Sequence, residues 1–141
     1  MVSVSIIAVL IGIFLINVNP AGNLSNSRNF QRQAQLNLIL NAISQNIADN
    51  NGTFSCSNGV IPTATTTMAA TTSISGAYHI APCLVPIYID SLPFDIGSAS
   101  AKWVSTSSYR SAYSILRNAT TGRITVLAPY SEGSTTITIS R

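Results

Sequence analysis

The side chains that could do chemistry are few: one histidine, two cysteines and four carboxylates in 141 residues. His79 stands close to Cys83, but two potential ligands do not make a metal site, and His79 is predicted to be a loop residue. The sequence has no G-x-S-x-G turn, no glycine-rich phosphate loop and no cluster of metal ligands. It therefore predicts no catalytic, cofactor-binding or metal-binding residue, and the chain is not expected to be an enzyme.

Asp90 and Asp95 lie near each other on either side of Pro93. Paired carboxylates can contribute to a Ca²⁺ site. Aspartates beside a proline more often cap turns through hydrogen bonds to their own backbone. The sequence leaves both interpretations open and favours the turn.

Cys56 and Cys83 bracket a stretch rich in serine and threonine. In an exported domain two such cysteines are expected to form a disulfide, and in a reducing compartment they would remain buried thiols. A disulfide over this length of chain would contribute about 3–4 kcal/mol by restricting the unfolded state.

The composition excludes several classes of protein. Hydrophobic residues make up 46% of the chain and charged residues 8%, against a usual charged share of about 25%. A disordered chain would need fewer apolar residues and more charge. The net charge is +3, but the seven basic residues are scattered, so no nucleic-acid contact is assignable.

The first 27 residues contain no charge, and Met1 to Val18 is almost continuously apolar. As a helix this run would rise about 27 Å, close to the thickness of a bilayer core. The segment 1–27 is predicted to be a membrane or filament-core helix. A cleavable signal peptide and a buried core helix are the alternatives, but a basic n-region and a good cleavage site are missing. The side chains predicted to pack in the core are Val4, Ile6, Ile7, Val9, Leu10, Ile11, Ile13, Phe14, Leu15 and Ile16.

Four residues in this run weaken a regular helix: Gly12, Asn17, Asn19 and Pro20. They predict local unwinding between Gly12 and Pro20 when the helix is packed in a filament. A simple proline kink is the alternative.

The remainder, 28–141, is predicted to be one globular head. An amphipathic helix covers 28–50 and ends at Asn51-Gly52. A loop over 53–82, an extended segment over 83–97 and an antiparallel β-meander over 109–141 follow. The fold class is α+β, with a long helix packed on a small sheet. The predicted head core is Leu36, Ile39, Leu40, Ile43, Ile47, Ile115, Ile124 and Val126.

The order of these elements resembles the type IV pilin and pseudopilin family. The resemblance rests on VSIIAVLIGIFLINVNP, the helix SRNFQRQAQLNLILNAIS, the exit DNNGT, the segment YIDSLPFD and the closing strands YSILRNATTGRITVLAP. The N-P-A and DNNGT elements are most similar to those of bacterial major pilins of the candidate-phyla type. The resemblance implies a subunit that is stored in the cytoplasmic membrane and polymerises through its N-terminal helix into an extracellular filament. It implies as partners other copies of the chain, the membrane before assembly and the pilus assembly machinery.

One family feature is missing. Family members begin with a stretch of the type FTLIEL, whose glutamate pairs with a neighbouring subunit's terminal amine. Alignment of VSIIAVLIG with the family places Met1 a few residues inside the mature start, and the alternative puts Ser5 near the place of the glutamate. A minor pilin, a secretion pseudopilin and a monomeric membrane-anchored adhesion module are the other functions left open.

Overall fold

The computed structural model describes residues 6–7, 20–70, 74–133 and 136–141. A long helix is followed by a small sheet that carries one short helix between its first two strands. The elements are α1 (Pro20–Asp49), β1 (Thr66–Ala69), α2 (Ala81–Leu84), β2 (Lys102–Ser105), β3 (Ser108–Arg117), β4 (Ile124–Ala128) and β5 (Ile137–Ser140). An α+β fold with one long helix and an antiparallel sheet is therefore correct.

Helix α1 has 30 residues, which corresponds to a length of about 45 Å. The described part of this helix starts at Pro20. It ends where Asn51 and Gly52 take positive φ angles of 55° and 83°, and the Gly52 N–H returns to the Ile47 carbonyl at 2.9 Å. The helix runs through the boundary predicted between residues 27 and 28.

The buried side of α1 changes character along its length. In the first half the residues turned inward are polar, including Ser25, Asn29 and Arg32. In the second half they are mainly apolar: Leu36, Ile39, Leu40 and Ile43 are at most 1% exposed and Ile47 is partly buried, although the polar Asn46 is buried among them. The spacing of three and four residues keeps both sets on one face of the helix.

All five strands form one antiparallel sheet. Arg110 of β3 pairs with Ala69 of β1 and with Lys102 of β2, so β1 and β2 lie on opposite sides of β3. Strand β4 pairs with β3 on the same side as β2 but further along β3, and β5 pairs with the other edge of β4. Helix α1 packs against β4, β5 and α2 and covers the inner face of the sheet.

A bulge in β3 allows this strand to pair with β1, β2 and β4. Ala112 has a φ of 61°, and the pairing with β1 shifts register at this level. The buried Ser111 hydroxyl donates to the Met68 carbonyl at 2.7 Å and accepts from the Tyr113 N–H at 3.1 Å. These bonds satisfy polar groups that the interrupted ladder would leave unpaired.

The head core lies between α1 and the sheet. Of the predicted core residues, Ile115 and Val126 are fully buried and Ile124 is 6% exposed. They are joined by side chains that no helical stripe or meander pattern singled out, including Ile61, Met68, Tyr109 and Tyr113.

The predicted loop over 53–82 was wrong in part, because it contains β1 and the start of α2. The sequence TTMA has no apolar alternation, and it forms a strand because β3 offers an open edge. The extended segment over 83–97 begins inside α2, where Pro82 occupies an early helical position. The meander predicted over 109–141 corresponds to β3, β4 and β5, but β2 precedes it and was missed.

Most of the residues predicted for a filament core lie outside the described residues. This holds for Val4, Val9, Leu10, Ile11, Ile13, Phe14, Leu15 and Ile16, and also for Gly12, Asn17 and Asn19. Ile6 and Ile7 are described, helical and more than half exposed. Pro20 is the first residue of α1. Within the described residues no helix has the length and hydropathy to span a membrane.

Candidate functional site

A buried ion pair joins α1 to the segment between α2 and β2. Arg32 Nε donates to Asp95 Oδ2 at 2.9 Å, and the two side chains are 3% and 1% exposed. The other Asp95 oxygen accepts the Gly97 N–H at 2.8 Å. Both charges are removed from water and both are paired, which is the condition for burying them at all.

Glu132, in the connection between β4 and β5, binds the same face of α1 at Arg28, one turn before Arg32. Its carboxylate accepts two hydrogen bonds from Arg28, each 2.5 Å long, and one from Ser25 at 2.8 Å. Asn29 exchanges hydrogen bonds with the Glu132 backbone at 2.6 and 3.0 Å. Arg32 Nη1 lies 3.4 Å from Glu132 Oε1 and connects the two ion pairs into one network.

The network shifts the pKa values of Arg28, Arg32 and Glu132. The hydrogen bonds from Arg28 and then Ser25 lower the pKa of Glu132 to about 2. The hydrogen bond to Glu132 raises the pKa of Arg28. Burial opposes the charge on Arg32, but its bonds to Asp95 and Glu132 outweigh that effect and raise its pKa. All of these groups are therefore charged at neutral pH, and the network is an electrostatic attachment between helix and head.

A covalent attachment lies at the other end of α1. Cys56 and Cys83 form a disulfide with their Cα atoms 5.1 Å apart, as predicted. The buried Asn46 side chain of α1 reaches both flanks of this bridge. Its Nδ2 donates to the carbonyls of Ser55 at 3.1 Å and Cys83 at 3.3 Å, and its Oδ1 accepts the Ser55 N–H at 2.9 Å. One amide thus satisfies backbone groups on both sides of the disulfide.

His79 belongs to an aromatic group on the inner side of the sheet. Its ring stacks on Tyr109 at 5.6 Å between centroids, and Trp103 tilts against the same tyrosine at 5.5 Å. Burial lowers the pKa of His79 and raises that of Tyr109 to about 12. These shifts keep both groups neutral at physiological pH, which suits a packed interior.

The four carboxylates of the chain divide into two pairs. Asp95 and Glu132 are neutralised by Arg28 and Arg32, as described above. Asp49 and Asp90 take part in no salt bridge among the described residues. The interpretation of Asp95 as a turn cap agrees with its bond to the Gly97 N–H. Within the described parts of the chain, His, Cys, Asp and Glu side chains form no group of three that could hold a metal ion.

The side of α1 that faces away from the sheet carries large apolar side chains. Phe30 is 70% exposed, and Leu24 and Leu38 are about half exposed. A helix that only served the head would be polar on this side, because exposed apolar area gains nothing in water. These three residues are candidates for contacts outside the head.

The polar network was not found from the sequence. Arg28 and Arg32 sit in a helix among polar neighbours, a pattern typical of a solvated face. The partner of Arg28 lies 104 residues further along the chain and the partner of Arg32 lies 63 residues further, beyond the reach of any local pattern. The one available signal was that Arg28 and Arg32 follow the helical spacing of the buried stripe that begins at Leu36.

Comparison with known protein families and curated proteins, and with solved structures, finds no match.

Proposed function

We propose that this chain is a structural subunit that polymerises through its N-terminal apolar helix into an extracellular filament of the type IV pilus kind. Before assembly the subunit resides in the cytoplasmic membrane, and the assembly machinery transfers it to the filament. The head then lies outside, around a core of packed helices. The apolar run 1–18 and the resemblance of the sequence to type IV pilins support this proposal.

The observation that carries the proposal is that this apolar run directly precedes α1 in the sequence. The uncharged segment leads into a 30-residue helix whose inner side is held by the head. Its outer side presents Leu24, Phe30 and Leu38. Helices of many copies packed side by side would remove both sets of apolar side chains from water, at about 1.5–3 kcal/mol for each fully buried large residue. Unlike surfaces in contact between identical subunits generate an open helical fibre when the rotation between subunits does not close a ring.

Filaments sheared from the cells that make the chain provide the test. We expect this chain to be their main component, and helical reconstruction to place residues 1–18 on the filament axis. Leu15→Lys should abolish filaments, because it puts a charge in the core. The matched control Thr120→Lys adds the same charge to an exposed turn between β3 and β4, away from α1, and should leave assembly intact.

Two other results would redirect the proposal. Filaments built mainly from another chain, with this one present in traces, would assign it as a minor pilin or a secretion pseudopilin. A chain that stays monomeric in detergent, while filaments form without it, would make it a membrane-anchored adhesion module and overturn the structural role.

A further inference from the structure

Seven charged residues lie outside the network of Arg28, Arg32, Asp95 and Glu132. The five remaining basic residues all lie in the strands or directly beside them. One of the five, Arg141, also contacts α1, where its Nη1 donates to Asn41 Oδ1 at 2.5 Å. Of the two remaining acidic residues, Asp49 is the last residue of α1 and Asp90 lines a hollow together with Leu38 of α1.

Asp49 and Asp90 border a groove that runs along α1. The groove consists of three adjoining hollows, and Tyr88 lies between the first two. Leu38 and Asp90 line one hollow of 360 Å³, and Ile87 lines the next, of 330 Å³. Asn50 continues the groove to a third hollow that includes Asp49. We name the set of Leu38, Ile87, Tyr88, Asp49 and Asp90 the acidic groove.

The outer face of the sheet carries the opposite charge. Trp103 and Tyr109 are paired and turn toward the core, so strand alternation places their neighbours Lys102 and Arg110 on the outer face. Val104, on the same side as Lys102 by alternation, is 63% exposed. We name Lys102, Val104 and Arg110 the cationic corner.

The pairing of Lys102 with Arg110 is unfavourable in the isolated head. The two residues are direct cross-strand partners, and like charges placed opposite each other destabilise a sheet. No salt bridge within the described residues offsets this repulsion. An anionic partner outside the head would turn the arrangement into a favourable one.

From this complementarity we propose that the acidic groove of one head receives the cationic corner of a second copy of this chain. Val104 enters the hollows beside Tyr88, and Asp90 and Asp49 face Lys102 and Arg110. The groove lies on the helix side and the corner on the outer face of the sheet, so the contact joins unlike surfaces. Because the two surfaces lie on different sides of the head, each head binds one copy through its groove and another through its corner, and the contact propagates as a row where the rotation between copies does not close a ring. The inference rests on the proposed function, because the row supplies the outer layer of the same filament.

Lys102 is the only lysine in the chain, which makes the contact chemically addressable. A carbodiimide joins a lysine amine to a carboxylate only when the two groups touch. Full-length chains grown with and without ¹⁵N are mixed, assembled into filaments or dispersed in detergent, and cross-linked. We expect a mixed-isotope peptide pair that links Lys102 of one copy to Asp90 or Asp49 of another.

Charge reversal tests whether the contact drives association. Asp90→Lys and Lys102→Glu should each lower association between copies about tenfold, because each places like charges opposite each other. An equimolar mixture of the two variants should restore association, since the reversed groove of one then meets the reversed corner of the other. Arg123→Glu makes the same change of net charge as Lys102→Glu but lies outside the corner, and should leave association unchanged.

The outcomes separate this inference from the proposed function. Filaments that assemble without a cross-link from Lys102 to the groove, and that tolerate both reversals, overturn the inference and leave the filament role standing. Cross-linked heads in detergent, from a chain that never forms filaments, support the inference while the filament role fails. Retention on heparin that depends on Lys102, without any cross-link between copies, assigns the corner to a polyanion and overturns the inference.

Discussion

Replacing Arg32 by methionine tests the buried ion pair most directly. Methionine keeps the length of the side chain but removes the guanidinium, so the Asp95 carboxylate stays at 1% exposure and, among the described residues, keeps the Gly97 N–H as its hydrogen-bond partner. An uncompensated buried charge typically costs about 3–5 kcal/mol. The side chain also loses its bond to Asn29 Oδ1 at 2.9 Å, and we therefore expect a value toward the upper end of this range.

Urea unfolding of the full chain in mild detergent measures this cost. Trp103 is the only tryptophan, and it packs against the core, so its fluorescence reports on the unfolding of the head. With a slope of about 1–3 kcal/mol per molar urea, the midpoint of Arg32→Met should fall by roughly 2 M. Arg123→Met removes an exposed arginine and should change the free energy of unfolding by less than about 0.5 kcal/mol.

A double-mutant cycle distinguishes burial from simple loss of packing. Asp95→Leu alone leaves Arg32 without its main partner, whereas Arg32→Met with Asp95→Leu replaces the pair by apolar groups. The double variant should cost clearly less than the sum of the single variants. A cost of Arg32→Met below about 1 kcal/mol, the value typical of exposed pairs, would refute the reasoning, and so would additive single variants.

Three further predictions concern the two attachments of the helix. Because the folded pKa of Glu132 is about 2, below the ordinary value of about 4.3, its charge stabilises the head above pH 4 and this stabilisation is lost as the pH falls toward 2. The Tm values of the native chain and Glu132→Gln should therefore differ at pH 6 and converge near pH 2, and a constant difference would contradict the shift. Replacing Cys56 and Cys83 together by serine should lower the free energy of unfolding by about 3–4 kcal/mol in urea titrations. A native chain that is equally stable with and without reducing agent would contradict this prediction. Gly97→Ala places a Cβ 2.1 Å from Arg32 Nη2 and should cost about 1–3 kcal/mol by the same titration, whereas combination with Arg32→Met should remove most of this penalty.

The sequence predicted those parts of the fold that depend on local patterns. The apolar spacing of Leu36 to Ile47 corresponds to the buried stripe of α1, and the alternation in Ile124 to Ala128 corresponds to β4. Both patterns lie within a short window of chain, where the period of a helix or strand is visible. The disulfide was predicted on the condition that the domain is exported.

The parts that were missed depend on distant partners. Strand β1 has little strand character of its own and exists because β3 has a free edge beside it. The network around Arg32 is buried only because Asp95 and Glu132 arrive from other parts of the chain. The local pattern of a single sequence does not indicate such long-range contacts. The predicted filament core of residues 4–16 lies mostly outside the described residues.

The disulfide also governs what a protease can remove. It closes a ring of chain between Cys56 and Cys83, across a sequence separation of 27, and strand β1 lies wholly inside this ring. A single cut anywhere between residues 57 and 82 opens the ring but liberates no fragment, because both new ends stay tethered through sulfur. The intact mass should rise by one water molecule and split only after reduction, so a head nicked once in this region keeps every strand of its sheet.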